Sequence, residues 1–387
     1  MEIAGQLRCN IYIEGNQYPF YLTGNMQIIV NQNVKTFLPS FKLYLDDSLG
    51  VLASSTPVND GTRISIQIDD SFPSTTTTYS FRVYGTPIKN ISPINPDVTR
   101  YTMVGLSDNY PYIRANPNST IYGSSLDVMN NAASALGLTV KTNCQPNDAM
   151  AWIPGKQPWA SFLHRVSSHA YVDDTSCMAH AVDIHGNLHF YNLTQKFKDN
   201  KPVAYLYRGA SKDKNFTSQN SWLCVDYQTA NRSTYMNSWA ADGLRTVQTP
   251  MSGNPSVYNQ VNATTVNNSL DINKSVYSSV QNRGRIHMVP ADCGNAHSQY
   301  MNAKHQNLRL LTTYSQNIYA MMYNFTGLKL FDMVKFTATH GASDNRSSAD
   351  DGLYCVTAIT STLFGNRYFE KIELTNAGPG NTNTRLV

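Results

Sequence analysis

Charged residues are scarce in this chain. Lys and Arg number 30 and Asp and Glu 26 among 387 residues, so 14% of the chain is charged and the formal net charge is +4. Ordinary soluble proteins contain roughly 25% charged residues. The small positive excess forms no run of Lys and Arg, which argues against a strongly basic nucleic-acid-binding protein.

Long hydrophobic stretches are also missing. No segment approaches the roughly 18 consecutive apolar residues of a membrane-spanning helix, so we expect no membrane insertion. The first residues, Met1–Gly5, show neither the basic nor the apolar part of a secretory signal, and we expect none. Because 41% of the residues are hydrophobic, the low charge does not indicate disorder, and the length predicts two or three folded domains.

Motifs for metal, redox or covalent chemistry are absent too. The six cysteines form no CxxC pair, so the sequence predicts free thiols. The motifs GxSxG, GxxxxGK[ST] and GxGxxG do not occur. We therefore expect no enzyme and no catalytic, cofactor-binding or metal site. The cysteines are Cys9, Cys144, Cys177, Cys224, Cys293 and Cys355.

Neutral polar residues take the place of the missing charge. Asn, Ser and Thr are abundant, and there are 24 Tyr. Uncharged polar surface lowers the desolvation cost of large permanent interfaces. The composition is therefore typical of a component of a stable assembly.

The N-terminal region carries the period-2 pattern of half-buried strands. Apolar residues alternate with polar ones at 26–30, 43–45 and 63–69, and again at 79–83 after a loop. The last two segments predict a hairpin with a long loop. Prolines cluster at 87–117 and predict the first domain boundary.

The middle region combines helices with a hairpin. Ser124 and Asp127 have the spacing of a capping box, and Gly137 lies where such a helix would end. A second helix is predicted from Pro158, because apolar residues recur on one face after it. A hairpin is predicted over 178–193. The apolar stripe of the second helix is Trp159, Phe162, Leu163, Val166 and Ala170.

The sequence of the C-terminal region predicts an extended arm, a helix and three strands. Large aliphatic residues are almost missing from 252–277, which predicts an exposed insertion or extended arm. A helix is predicted over 298–324, followed by strands at 333–339, 353–361 and 368–375. The stripe that predicts the helix is Leu308, Leu311, Ile318 and Met322, with Gly327 as its end.

Five of the nine histidines lie within a short stretch, and zinc sites use such residues. The first two are five residues apart on a predicted helix, which is not the i, i+4 spacing of a helical zinc pair. Hydrogen-bonded structural histidines are therefore the favoured interpretation, with metal binding as the alternative. These histidines are His164, His169, His180, His185 and His189.

Three stretches of the chain, in this order, resemble known sequences. They are 63–68 with 79–85, then 159–167 with 186–191, and finally 327–336 with 354–356 and 372–375. Together they resemble the baseplate central hub protein of contractile-tailed bacteriophages of the T-even type. Relatives of that family include the hub part of type VI secretion spikes.

The resemblance implies an α+β, mostly β fold that assembles as a trimeric ring. Each chain would supply two tube-like β-barrel domains, so that three chains join a sixfold tail tube to a threefold central spike. The implied partners are further copies of the chain, a tail-tube or tube-initiator protein, the spike and other baseplate proteins. DNA would pass through the channel without sequence-specific binding, and the expected location is the tail baseplate of a virion.

The same resemblance sets the expected domain boundaries. The expected ranges are 1–110 for the first barrel, 111–203 for an α+β middle domain, 204–240 with 306–376 for the second barrel, 241–305 for the insertion and 377–387 for a flexible tail.

Two other classes of function stay open. A monomeric or fibre-type receptor- or carbohydrate-binding tail protein would also suit the many Tyr, Asn and Trp residues. A cell-wall hydrolase would need a carboxylate pair of the kind that cleaves glycosidic bonds, or a histidine site.

Overall fold

The structure is a computed structural model. The described residues are 8–16, 19–21, 26–54, 57–71, 74–91, 98–173, 176–208, 220–231, 245–249, 259–262, 286–290, 297, 303, 316–323, 325–338, 350–365 and 367–376. The predicted tail 377–387 and Cys293 lie outside them, and so does the predicted arm 252–277 except for one strand.

The N-terminal region consists of strands whose apolar residues alternate with polar ones. Its elements are β1 (Arg8–Ile13), β2 (Phe20–Tyr21), β3 (Gln27–Asn33), β4 (Ser40–Asp47), α1 (Val51–Ser54), β5 (Arg63–Ser71), β6 (Ser74–Val83), β7 (Ile88–Ile91) and β8 (Thr99–Ser107). Ile64, Ile66 and Phe81 are completely buried on one face of the β5–β6 hairpin. The predicted hairpin is confirmed.

The long loop predicted for this hairpin is wrong. β5 and β6 pair along their whole lengths, out to Ser71 opposite Ser74. The threonines of 75–78 are β-branched and favour extended backbone, so they continue the strand instead of forming a loop.

The middle region packs helices on a small sheet. Its elements are α2 (Pro111–Arg114), β9 (Ile121–Gly123), α3 (Ser125–Leu136), β10 (Thr139–Thr142), β11 (Met150–Trp152), α4 (Trp159–His169), β12 (Met178–Val182), β13 (Asn187–Asn192) and α5 (Leu193–Asp199). Ser124 and Asp127 form the predicted capping box, and Gly137 ends α3 with a φ of 68°. The predicted stripe of α4 is buried throughout, and β12 with β13 forms the predicted hairpin.

The C-terminal region returns to strands. Its elements are β14 (Ala204–Arg208), β15 (Ser221–Cys224), β16 (Asp226–Asn231), β17 (Arg245–Thr249), β18 (Asn259–Asn262), β19 (Ile286–Pro290), β20 (Gln316–Met322), β21 (Met333–Ala338), β22 (Gly352–Phe364) and β23 (Arg367–Asn376). The three predicted closing strands are confirmed as β21, β22 and β23. β18 lies in the predicted arm and forms a three-stranded sheet with β17 and β19.

The helix predicted over 298–324 is wrong at its C-terminal end, where the chain forms β20. Ile318 and Met322 are four residues apart, a spacing that fits both a helical stripe and an alternating strand. Ala320 between them is also buried, and the whole segment pairs with β23. Pairing with a distant strand therefore decides the structure. Except for Ala303, residues 298–315 lie outside the described part of the chain.

One 15-stranded sheet links the N-terminal and C-terminal regions. Its main path runs β15-β14-β21-β22-β3-β4-β8-β6-β5-β1-β2. Within the described residues this sheet is not closed, so two separate closed barrels are not observed. The second edge of β3 pairs with β22 of the other region, and it is therefore not available to close the N-terminal region on itself.

The five cysteines in the described part of the chain are free thiols, as predicted from their spacing. Four of them, Cys9, Cys177, Cys224 and Cys355, are buried. None of the described helices combines the length and the hydrophobicity that a bilayer-spanning helix needs.

Gly105 on β8 lies very close to the backbone of β6 and to a core side chain of β4. An added Cβ at this position would overlap the carbonyl oxygen of Arg82 and the ring of Phe41. We expect Gly105→Ala to lower the free energy of unfolding by about 1–3 kcal/mol, because backbone and core would both have to shift. Urea unfolding followed by fluorescence measures this change.

The matched control is the neighbouring outward-facing residue. Val104 is 44% exposed, so Val104→Ala should stay within about 0.5 kcal/mol of the wild type. Equal stabilities of the two variants would show that the Arg82 carbonyl and the Phe41 ring leave room for a side chain at position 105.

Candidate assembly surface

Strand β22 belongs to both β regions. Residues Gly352–Cys355 pair with β21, whereas Ala358–Phe364 pair with β3 of the N-terminal region. The change of partner coincides with a register shift in the β22–β23 ladder between Val356 and Ala358. Bulges of this kind bend a strand and redirect it. The bulge lets one strand leave its own region and continue the sheet of the other.

Thr357, at this bulge, is fully buried and has hydrogen-bond partners on two sides. Its carbonyl oxygen accepts from the Val34 N–H at 2.9 Å, and its hydroxyl donates to the Glu373 carbonyl at 3.2 Å. Lys35 and Glu373 form an ion pair at 2.9 Å beside it. Val34 and Lys35 follow β3, so both regions hold the bulge in place.

The far end of the β22–β23 hairpin inserts into the N-terminal core. Leu363 and Tyr368 pack with Ile28, Ile66 and Tyr79 in one hydrophobic cluster, and Leu363 is only 1% exposed. The junction is therefore a hydrophobic contact as well as a ladder of backbone hydrogen bonds.

A buried carboxylate lies at the same junction. Glu370 accepts hydrogen bonds from the backbone N–H and the hydroxyl of Thr326 and, at 2.8 Å, from the hydroxyl of Tyr368. Burial raises the pKa of Glu370 above its ordinary value of 4.5, although these donors act in the opposite direction. Burial, and then the nearby Glu370 charge, also raise the pKa of Tyr368.

Phe331 joins the middle region to the C-terminal region. Its ring is completely buried, 5.7 Å from the Tyr191 ring and 6.0 Å from the His189 ring between centroids. Its N–H donates to the Val356 carbonyl, and its carbonyl accepts from Lys196 Nζ, both at 2.8 Å. Phe331 has a φ of 67°, which is costly for a bulky residue and is kept only where the surroundings enforce it.

Asp183 organises the turn of the β12–β13 hairpin. One carboxylate oxygen accepts from the backbone N–H groups of His185 and Asn187, and the other accepts from His189 Nε2 at 2.9 Å. Burial opposes ionisation here, but the hydrogen bonds from His189 and Asn187 outweigh it and lower the pKa of Asp183. This buried pair positions His189 against Phe331.

The structure separates the five clustered histidines. His169 lies beside the Arg165 carbonyl, His185 contacts the Tyr79 ring and His189 pairs with Asp183, so these three have structural contacts. Only His164 and His180 come together, with ring centroids 6.0 Å apart. Among the described residues, no three His, Cys, Asp or Glu side chains form a group that could hold a metal ion.

The important junction residues were not found from the sequence. In the sequence, Glu370 has the position of an ordinary charged residue in an alternating strand. Phe331 has the position of an ordinary apolar residue. One local signal was available, since Gly327 and Asp332 bracket Phe331 and indicate a turn that can hold an unusual φ.

No family model and no curated protein matches this sequence. Solved structures do match it. A tail protein from Neisseria meningitidis MC58 is 11% identical with a TM-score of 0.58, and the match covers 96% of both chains. The 43 kDa tail protein of prophage MuSo2 from Shewanella oneidensis is 10% identical with a TM-score of 0.59, over 96% of this chain and 98% of that one. This chain has the fold of a phage tail protein.

A third similar structure is a component of the type VI secretion system of E. coli. It is 9% identical with a TM-score of 0.50, over 95% of this chain and 76% of that one, and it is described as similar to the T4 tail proteins gp27 and gp5. The resemblance to tail proteins of this type, predicted from short stretches of sequence, is confirmed in the fold.

Truncating Leu363 tests the hydrophobic part of the junction. We expect Leu363→Ala to lower the free energy of unfolding by about 2–5 kcal/mol, because it leaves a cavity where the hairpin enters the N-terminal core. Thr362→Ala is the matched control on the outward face and should change it by no more than about 0.5 kcal/mol. Urea unfolding measures both, and similar effects would contradict the insertion.

The buried Glu370 predicts a defined pH dependence. The pKa of Glu370 is higher in the folded protein than in the unfolded chain, so protonation of Glu370 stabilises the folded state. This stabilisation is complete at a pH below the ordinary pKa and is lost as the pH rises through the pKa of the folded protein. The stability of the wild type relative to Glu370→Gln should therefore fall as the pH rises above about 4.5. Unfolding curves of both proteins at matched pH values test this. A relative stability that is constant, or that rises with pH, would contradict the assignment.

Proposed function

We propose that this chain is a structural hub of a phage tail baseplate, and that it is not an enzyme. The observation that carries the proposal is the match of 96% of the chain to two tail proteins. In this proposal three copies form a ring in the virion, with a tail tube bound on one face and a central spike on the other. Other baseplate proteins would surround the ring.

The two β regions of the chain support the ring. If each region is one unit of the ring, three chains present six units to a sixfold tube while keeping threefold symmetry toward a spike. The β22–β3 pairing joins the two units within one chain without a break in the sheet. Such continuity suits a ring that transmits force without flexing.

A barrel-like form of the C-terminal region is supported by the segment 221–231. Its first half, β15, pairs with β14, and its second half, β16, pairs with β20 on the other side of the same region. Between the halves, the Val225 N–H donates to the Met321 carbonyl at 2.8 Å. A bent segment shared in this way brings the two sides of the region together around the core that contains Ile318 and Phe336.

The outward side of the junction is consistent with DNA passage. The face carries Asn31, Thr360 and Thr362 on β3 and β22, with Lys42 on β4 and Lys371 on β23 on either side of them. Two lysines among neutral side chains would attract a polyanion only weakly and would let it slide past. In the proposed ring this face lines the channel.

A hub of a type VI secretion spike is the second candidate. The match to the E. coli secretion-system component favours it, although at a lower TM-score. Both candidates are ring-forming hubs, so the tube protein that binds the ring distinguishes them.

Light scattering coupled to size-exclusion chromatography tests the proposed assembly. At micromolar concentration we expect three times the chain mass, and electron micrographs of the same peak should show a ring with a central channel. Since large permanent interfaces dissociate slowly, the mass should not change on tenfold dilution. A stable monomer without rings would overturn the proposal.

A further inference from the structure

Two histidines from different elements meet in a cavity of the middle region. His164 lies on α4 and His180 on β12, sixteen positions later in the sequence. Both line a cavity of about 250 Å³, together with Tyr112 and the residues that follow β3, including Lys35 and Phe37. Lys35 also belongs to the junction, but neither histidine takes part in the junction or in the proposed ring.

The imidazoles of His164 and His180 are unusual among the histidines of the middle region. His169 and His189 have hydrogen-bond partners, whereas His164 and His180 have none among the described residues and contact each other ring to ring. His164 is exposed and His180 is half-buried, so a ligand can reach both imidazoles from solvent. The cavity therefore presents two imidazoles from adjacent elements to whatever enters it.

The separation of the rings suits a shared ligand. Their centroids are 6.0 Å apart and the ring planes are inclined by 51°. Two metal–nitrogen bonds of about 2.0–2.1 Å, added to the distance from each nitrogen to its ring centre, span such a gap at a wide nitrogen–metal–nitrogen angle. Direct hydrogen bonding between the rings would need them closer together.

The charge of the cavity lining also suits a metal ion. Lys35 does not place a free positive charge in the cavity, because its ammonium group pairs with Glu373 at 2.9 Å.

We propose that His164 and His180 together bind one divalent late-transition-metal ion, with water completing its coordination. Imidazole nitrogens suit Zn²⁺, Ni²⁺ and Cu²⁺, whereas Mg²⁺ and Ca²⁺ need carboxylate and carbonyl oxygens. Cu²⁺ should bind most tightly, following the general order of stability for such ligands. The ion would tie α4 to β12 and stabilise the middle region by mass action.

The sequence predicts no metal site because these two histidines do not share a motif. They lie on a helix and a strand that meet only in the fold. A site with two protein ligands is also smaller than the clusters of three or more that usually identify a metal centre.

Metal titration of the tag-free, full-length chain tests the proposal. After treatment with a chelator, calorimetric titration with Cu²⁺ and with Zn²⁺ should show one equivalent bound per chain. His164→Gln and His180→Gln should each weaken binding at least about tenfold, because losing even an outer partner of a ligating histidine costs that much. His185→Gln is the matched control, since His185 lies at a turn and does not line the cavity.

Electron paramagnetic resonance of the Cu²⁺-loaded wild type provides a measurement that does not depend on variants. Hyperfine coupling to two imidazole nitrogens is the expected result. The proposal is overturned if the wild type binds no metal at millimolar concentration, if the double variant His164→Gln/His180→Gln binds as tightly as the wild type, or if the spectrum shows no imidazole coupling.

Discussion

A single strand that pairs with two regions determines how this molecule is arranged. β22 pairs with β21 in its first part and with β3 in its second, and the bulge at Thr357 is where it changes partner. Because a ladder of backbone hydrogen bonds and the buried Leu363 act together, the two β regions cannot move apart without exposing both polar and apolar groups. The middle region is then fixed to the same block through Phe331.

The scarcity of charge has a structural counterpart at these junctions. The buried polar groups there receive hydrogen bonds mainly from neutral donors: Glu370 from Thr326 and Tyr368, and Thr357 from the Val34 backbone. Lys35 with Glu373 is an ion pair at the edge of this network. Neutral donors avoid the large cost of taking a cation out of water. An assembly component that buries much of its surface avoids the same desolvation cost at its external contacts.

Local features of the fold could be predicted, and non-local ones could not. The alternation in β5, the capping box at Ser124 and the buried stripe of α4 follow from neighbouring residues alone. The helix assigned to 298–324 failed at β20 because a four-residue spacing fits two periodicities, and only pairing with β23 separates them. The change of partner along β22 and the meeting of His164 with His180 depend on distant segments, so no local pattern indicates them.

Hydrogen exchange of the intact chain, followed by mass spectrometry, tests most directly whether β22 makes one body of the two β regions. At increasing denaturant, the amides of Ala358–Phe364 and those of β3 should lose protection together, with the same opening free energy. The amides of Gly352–Cys355 should follow the same curve. If β3 stays protected while Ala358–Phe364 exchanges freely, the two regions are independent and the account of a shared strand is wrong.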